Sequence, residues 1–148
     1  MVKSMGVKEL LINRVLDYLD LMDKDYVYDY NSDKITIYET MNGDKIEIYV
    51  YFSEKWVTVR YNGPSIKNLN PEQKFKIMYL LLRLNEQIAE AKFCLTEDEH
   101  IVVTVESNIE ALTFDNFKME YGAIPYAIRM IKKKIMPIIK GKEEEEKS

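Results

Sequence analysis

Cysteine is almost absent from this chain. Its one cysteine, Cys94, excludes an intramolecular disulfide framework and fits a reducing compartment. Histidine is as rare. His100 stands alone, and one histidine beside carboxylates is a poor zinc set. There is no excess of positive charge: the formal net charge is −4, which argues against a nucleic-acid or anionic-membrane binder. No apolar run approaches the roughly 20 residues of a membrane span. The stretch Met1-Val2-Lys3-Ser4-Met5 lacks the apolar core of a signal peptide, so the chain is expected to be cytoplasmic. Glycine and proline are scarce while Lys, Glu, Ile and Tyr are abundant, a bias of thermophilic type. No catalytic constellation, metal motif or phosphate loop is present.

What remains is a globular balance, 47% hydrophobic against 31% charged, which is enough for a core without help. The 148 residues fit one domain, expected over 1–140, with an acidic disordered tail over 141–148. No metal or organic cofactor is expected.

Val7, Leu10, Leu11, Val15, Leu19 and Met22 recur at helical spacing and predict a first helix over 8–22. Residues 26–30 form a short strand or an extended entry to a sheet. Asn42-Gly43 tolerates positive φ twice, which suits a type I′ hairpin turn. A two-residue loop there sets Ile37 opposite Ile48 and Ile35 opposite Val50. A second turn near 53–55 sets Phe52 opposite Val57 and Val50 opposite Val59. Both turns put apolar side chains on one face, which predicts a three-stranded meander over 34–61. Asn62-Gly63-Pro64 is expected to break the sheet.

Pro71 suits the first turn of a second helix, expected over 71–89. That helix carries two apolar stripes. Phe75, Met78, Leu82 and Ala89 form one, with Asn85 on the same side, and Ile77, Leu81, Leu84 and Ile88 form the other. A helix apolar on two sides is buried on two sides. Either it is central, with one stripe on the sheet and the other under a neighbouring helix, or one side meets another subunit. Ile77, Leu81, Leu84 and Ile88 are therefore the candidate dimer interface. Phe93 and Leu95 then alternate with polar neighbours, as do Ile101 and Val103, and predict a hairpin around Glu97-Asp98-Glu99. Thr113 is a candidate N-cap for a third helix, with Pro125 inside it and Pro137 ending it.

The element order and certain residues together resemble the YbjN-like family, within the type III secretion chaperone-like fold. These residues are Tyr79-Leu80-Leu81-Leu82-Arg83-Leu84-Asn85, then Ala91-Lys92-Phe93-Cys94-Leu95, then Ile101-Val102-Val103-Thr104-Val105, and the helix opening at Leu112-Thr113. The likeness spans 35–135. It implies an α+β fold of order α-βββ-α-ββ-α, with an antiparallel sheet made of the meander and the hairpin, and three helices. It implies a protein-binding, chaperone-like role and a homodimer rather than an enzyme, and it carries over no catalytic residues.

Other residues that could bear chemistry read more simply as structure. His100 reads as a solvent-facing strand end. Cys94 lies between Phe93 and Leu95 and points away from the core, with no base beside it. Asp17, Asp20, Asp23 and Asp25 lack EF-hand spacing and its glycine. Lys132-Lys133-Lys134 complements a helix C-terminus, with four glutamates at 143–146 competing for any anion.

The aromatic set is more telling. With Ile46, Ile48, Val50 and Phe52 facing the core, Tyr49 and Tyr51 face the other way, joined by Tyr38, Trp56, Thr58 and Arg60. Tyr and Trp are enriched where proteins meet partners. Tyr38, Tyr49, Tyr51, Trp56 and Arg60 are thus a candidate partner-binding face; the alternative is that they pack internally or in a dimer. Three functions stay open: a chaperone-like protein binder, a small-molecule binder or enzyme with a cleft beside the sheet, and a structural subunit of a larger assembly.

Overall fold

A computed structural model describes residues 6–141. Its elements run α1 (Val7–Leu21), β1 (Asp25–Asp29), β2 (Lys34–Met41), β3 (Asp44–Phe52), β4 (Trp56–Ser65), α2 (Pro71–Gln87), β5 (Lys92–Leu95), β6 (His100–Asn108), α3 (Phe114–Met130) and α4 (Met136–Ile139). The six strands order as β1-β2-β3-β4-β6-β5. The expected meander and hairpin are both present, and β1 adds an edge strand where the sequence left a choice. The chain forms two compact units: Met1–Arg60 with Glu106–Tyr121, and Tyr61–Val105 with Gly122–Ser148. The acidic segment expected to be disordered lies, from Lys142 on, outside the described residues.

In the first unit the Asn42-Gly43 turn sets the geometry. Both residues have positive φ, 51° and 84°, as a type I′ turn demands. The register follows: Ile37 pairs with Ile48, Ile35 with Val50, Val50 with Val59 and Phe52 with Val57. Ile35, Ile37, Ile48, Val50, Val57 and Val59 are all buried. Each contributes roughly 1.5–3 kcal/mol relative to exposure. Helix α1 packs on β3 through Leu11, Ile12, Val15 and Leu19, while Val7 and Leu10 of the expected stripe stay exposed. The helix meets the start of α3 through aromatic rings, with Tyr18 5.6 Å from Phe114 and 5.8 Å from Phe117. The Thr113 hydroxyl accepts from the Asn116 N–H, so the expected N-cap is in place.

In the second unit β4 runs on through Asn62-Gly63-Pro64, correcting the expected break. Two features reconcile those residues with a strand. A Cβ on Gly63 would lie 2.8 Å from the Ile101 carbonyl oxygen, so β6 comes too close for any side chain. Pro64 lies past Arg60, the last residue paired with β3, so on that side its missing N–H costs no ladder bond. Helix α2 opens with Pro71 and a capping box: the Asn70 side chain accepts from the Gln73 N–H, and the Gln73 side chain accepts from the Asn70 N–H. It packs on β5 and on the C-terminal helical segment.

Strand β6 is buried on both faces from Ile101 to Val105, so the alternation read at Ile101 and Val103 described only half of it. Leu95 is exposed rather than sharing a core with Phe93. Helix α3 continues past Pro125 into a π-helical stretch, Ile131–Ile135, and Pro137 does not end it. Pro137 instead sits in the first turn of α4, where a missing N–H is tolerated.

Candidate binding surfaces

Strand alternation decides which side chains line the open sheet face of the first unit. The register places Asp25, Tyr38 and Glu47 in one row and Val27, Thr36, Tyr49 and Arg60 in the next, with Tyr51 beside Thr58. Trp56 follows by the alternation of β4. Tyr38, Tyr49, Tyr51, Trp56 and Arg60 therefore share one face, opposite the buried isoleucines and valines. Trp56 is 43% exposed, and Tyr38 and Tyr51 are close to it in exposure. Val27 joins them, and no reading of the meander alone could include it, because it depends on β1 pairing.

The face has an internal order. The Tyr49 hydroxyl donates to the Glu47 carboxylate at 2.5 Å, and the Lys34 ammonium sits 4.9 Å from the Tyr49 ring centroid. The rings of Tyr49 and Tyr51 lie 6.3 Å apart, tilted by 41°. By contrast the hydroxyls of Tyr38 and Tyr51 and the indole N–H of Trp56 have no acceptor among the described residues. At the turn end, Asp25, Tyr38, Glu39, Thr40, Lys45 and Glu47 line a recess of about 600 Å³.

Four tyrosines of this unit hold their protons unusually tightly. Tyr49 is pushed up to about 12, chiefly by its hydrogen bond to Glu47, and Tyr26 to about 12 by its bond to Asp20. Tyr28 reaches about 12 through burial and its bond to Asp33. Burial, and then the charge of the Glu39 carboxylate, also raise Tyr121, whose buried hydroxyl makes no hydrogen bond of normal geometry among the described residues. A raised pKa in the folded state means that the unfolded chain loses its protons first. Stability is therefore full below about pH 10 and falls as pH rises from there through about 12. Urea midpoints measured from pH 8 to 12 should fall in that window, and Tyr49→Phe should flatten part of the decline.

The second unit presents a different surface, and here the candidate dimer interface needs correcting. Ile77, Leu81, Leu84 and Ile88 are buried within one chain, Ile77 completely. They pack where α2 meets β5 and the C-terminal segment, so they are not available to a second copy. The other stripe faces water: Phe75 is 68% and Leu82 71% exposed, with Met78 and Tyr79 between them. Phe75, Lys76, Tyr79 and Leu80 line a hollow of about 320 Å³ with Ile138.

Sequence reasoning missed what Asn85 does. Its side chain accepts from the Phe93 N–H at 2.7 Å and donates to the Phe93 carbonyl at 3.1 Å. It thus mimics a neighbouring strand on the outer side of β5, an edge of the sheet. The Leu84-Asn85 pair noted in the sequence is therefore a buried anchor followed by an edge clamp. Asn85→Ala strands both backbone groups, and each costs about 1–3 kcal/mol if left unsatisfied. Urea unfolding of that variant should show a clear loss of stability with the amide of Phe93 exchanging faster.

The remaining candidates stay apart. His100 is at a strand end, its Nε2 3.6 Å from an Asp98 oxygen, and Cys94 is exposed. Asp17, Asp20, Asp23 and Asp25 are exposed; Asp20 accepts from the Tyr26 hydroxyl at 2.6 Å. Lys132-Lys133-Lys134 lies in the π-helical stretch. No group of metal-binding side chains occurs among the described residues, and no described helix is long and apolar enough to cross a membrane.

No family model and no curated protein sequence matches the chain. Solved structures do. A chain of the ExsC–ExsE complex superposes with a TM-score of 0.65 at 8% identity, covering 88% of this chain and 97% of that one. The Yersinia pestis type III secretion chaperone SycH, in complex with a stable fragment of YscM2, gives 0.53 at 10% identity, covering 78% and 93%. YbjN from E. coli gives 0.52 at 11% identity, covering 86% and 87%. The chain has the type III secretion chaperone-like fold, shared with YbjN. At these identities the likeness is one of fold. Within this chaperone-like fold, the aromatic face lies on β1 to β4 and the exposed apolar stripe on α2.

Proposed function

We propose that the chain is a non-enzymatic protein-binding module of chaperone-like type, acting in the cytoplasm as a homodimer. The observation that carries this is the open sheet face bearing Tyr38, Tyr49, Tyr51, Trp56 and Arg60. Large aromatic side chains with few rotatable bonds, such as the exposed Tyr38, Tyr51 and Trp56, are the residue types that dominate partner interfaces. The fold supports the same reading, since ExsC and SycH are both seen in complexes. Self-association is assigned to the exposed stripe of α2, Phe75, Met78, Tyr79 and Leu82, in place of the buried stripe. Neither nucleic acid nor membrane is part of the proposal.

A second reading, a small-molecule binder, draws on the recess beside Tyr38 and Glu47. Affinity capture from host extract, followed by mass spectrometry of both proteins and metabolites, separates the two. A protein recovered in near-stoichiometric amount is the expected result. Recovery of a metabolite with no accompanying protein would overturn the proposal in favour of the second reading.

A further inference from the structure

We infer that the recess at the turn end of the sheet binds a linear aliphatic diamine or polyamine, laid across the Tyr38 ring with one ammonium at Asp25 and another at Glu47. This goes beyond the protein-binding reading and does not depend on it.

Strand register builds the site. Asp25 on β1 pairs with Tyr38 on β2, and Tyr38 pairs with Glu47 on β3. The three side chains stand in one row on one face, in the order carboxylate, ring, carboxylate. Two strand spacings set the outer pair roughly 10 Å apart. One metal ion does not bridge such a span. Two ammonium groups joined by a short alkyl spacer do, because each ion pair takes up about 2.8 Å of it. The recess holds about 600 Å³. Small-molecule sites hold roughly 300–1,000 Å³.

Charge selects a cation. Asp25, Glu39 and Glu47 line the recess against one base, Lys45. Glu39 is already engaged, since the Lys24 ammonium lies 3.1 Å from it. The Asp25 side chain has no hydrogen-bond or ion-pair partner among the described residues. Glu47 accepts from the Tyr49 hydroxyl at one oxygen and keeps the other. Two carboxylates are therefore open to a ligand. A single ammonium would satisfy one of them and leave the other unpaired.

Between them the spacer has an apolar floor. The exposed Tyr38 ring takes methylenes on its face and attracts an ammonium within about 6 Å of its centroid. Ile46 adds apolar wall. A separate observation comes from behind the recess. The buried Tyr121 hydroxyl faces Glu39 and makes no hydrogen bond of normal geometry among the described residues. A buried polar atom left unpaired marks a place where a partner from outside the chain is missing. Glu39, which it faces, opens on the recess.

Isothermal titration calorimetry of the full chain with putrescine and spermidine tests this. Capture of a partner protein in amine-free buffer reads the protein-binding proposal separately, so the two can fail independently. Amine binding should saturate at one site per chain. Asp25→Asn, Glu47→Gln and Tyr38→Ala should each weaken it about tenfold or more, with circular dichroism confirming the fold of each. Butylamine, with one ammonium, should bind about tenfold more weakly than putrescine, or worse. The glutamates at 143–146 also attract amines. A variant carrying Glu143→Gln, Glu144→Gln, Glu145→Gln and Glu146→Gln should therefore bind unchanged. Loss of binding in that variant, full binding in both Asp25→Asn and Glu47→Gln, or equal binding of butylamine would overturn the inference. So would binding of a dilysine peptide with no binding of the free amines, which would assign the recess to basic side chains of a partner.

Discussion

Replacing Tyr51 and Trp56 with alanine is expected to abolish capture of the partner while the fold survives. Both rings stand on the open face and neither lines the core, whose strand residues point the other way. Truncating an aromatic hot spot costs roughly 2 kcal/mol or more of binding free energy. Each 1.4 kcal/mol is about tenfold in affinity, so the pair should lose on the order of a thousandfold. Substitutions at such exposed positions usually change stability by about 0.5 kcal/mol, and the half-buried part of each ring can raise that to about 1. Retention on the immobilised chain, measured beside a urea titration, checks both halves. Equal loss of binding and of stability would place the two rings in the core instead.

A second large effect should separate the two stripes of α2. Ile77→Asp puts a carboxylate where no water reaches, at a site 0% exposed. The expected cost is at least about 4 kcal/mol, a large part of a total stability of about 5–15 kcal/mol, so the variant should fail to fold. Leu82→Asp, at 71% exposure, should leave the monomer's stability within about 0.5 kcal/mol. In a dimer built on this stripe, each copy contributes the substituted residue, and light scattering should report a shift to monomer. A dimer unchanged by Leu82→Asp, and by Phe75→Asp beside it, would remove α2 from the interface.

The two stripes also show where the sequence stopped being legible. Helical spacing finds both, but it does not say which one meets the protein. Leucine and isoleucine at 77, 81, 84 and 88 won burial, while Phe75, Met78, Tyr79 and Leu82 were left in water. The hairpin was legible to the residue, because a two-residue turn at Asn42-Gly43 and a period of two leave only one register with all the isoleucines on one side. The same period of two puts Tyr38, Tyr49, Tyr51, Trp56 and Arg60 on one face, as the register has them. It failed at Asn62-Gly63-Pro64, where the turn signal was outweighed by a close approach between strands that only the fold creates. It failed also at β6, where every residue from Ile101 to Val105 is buried and alternation carries no signal. Asn85 was visible as a residue but not as a clamp, because its partner Phe93 lies eight positions away across a turn.

The most direct test of the aromatic face is photocrosslinking in the host. A benzophenone amino acid is placed at Tyr51, and in a second strain at Met119, an exposed position on α3 away from the face. The account predicts an adduct between position 51 and one partner protein, with none from position 119. Adducts from 119 but not from 51, or from neither, would contradict it.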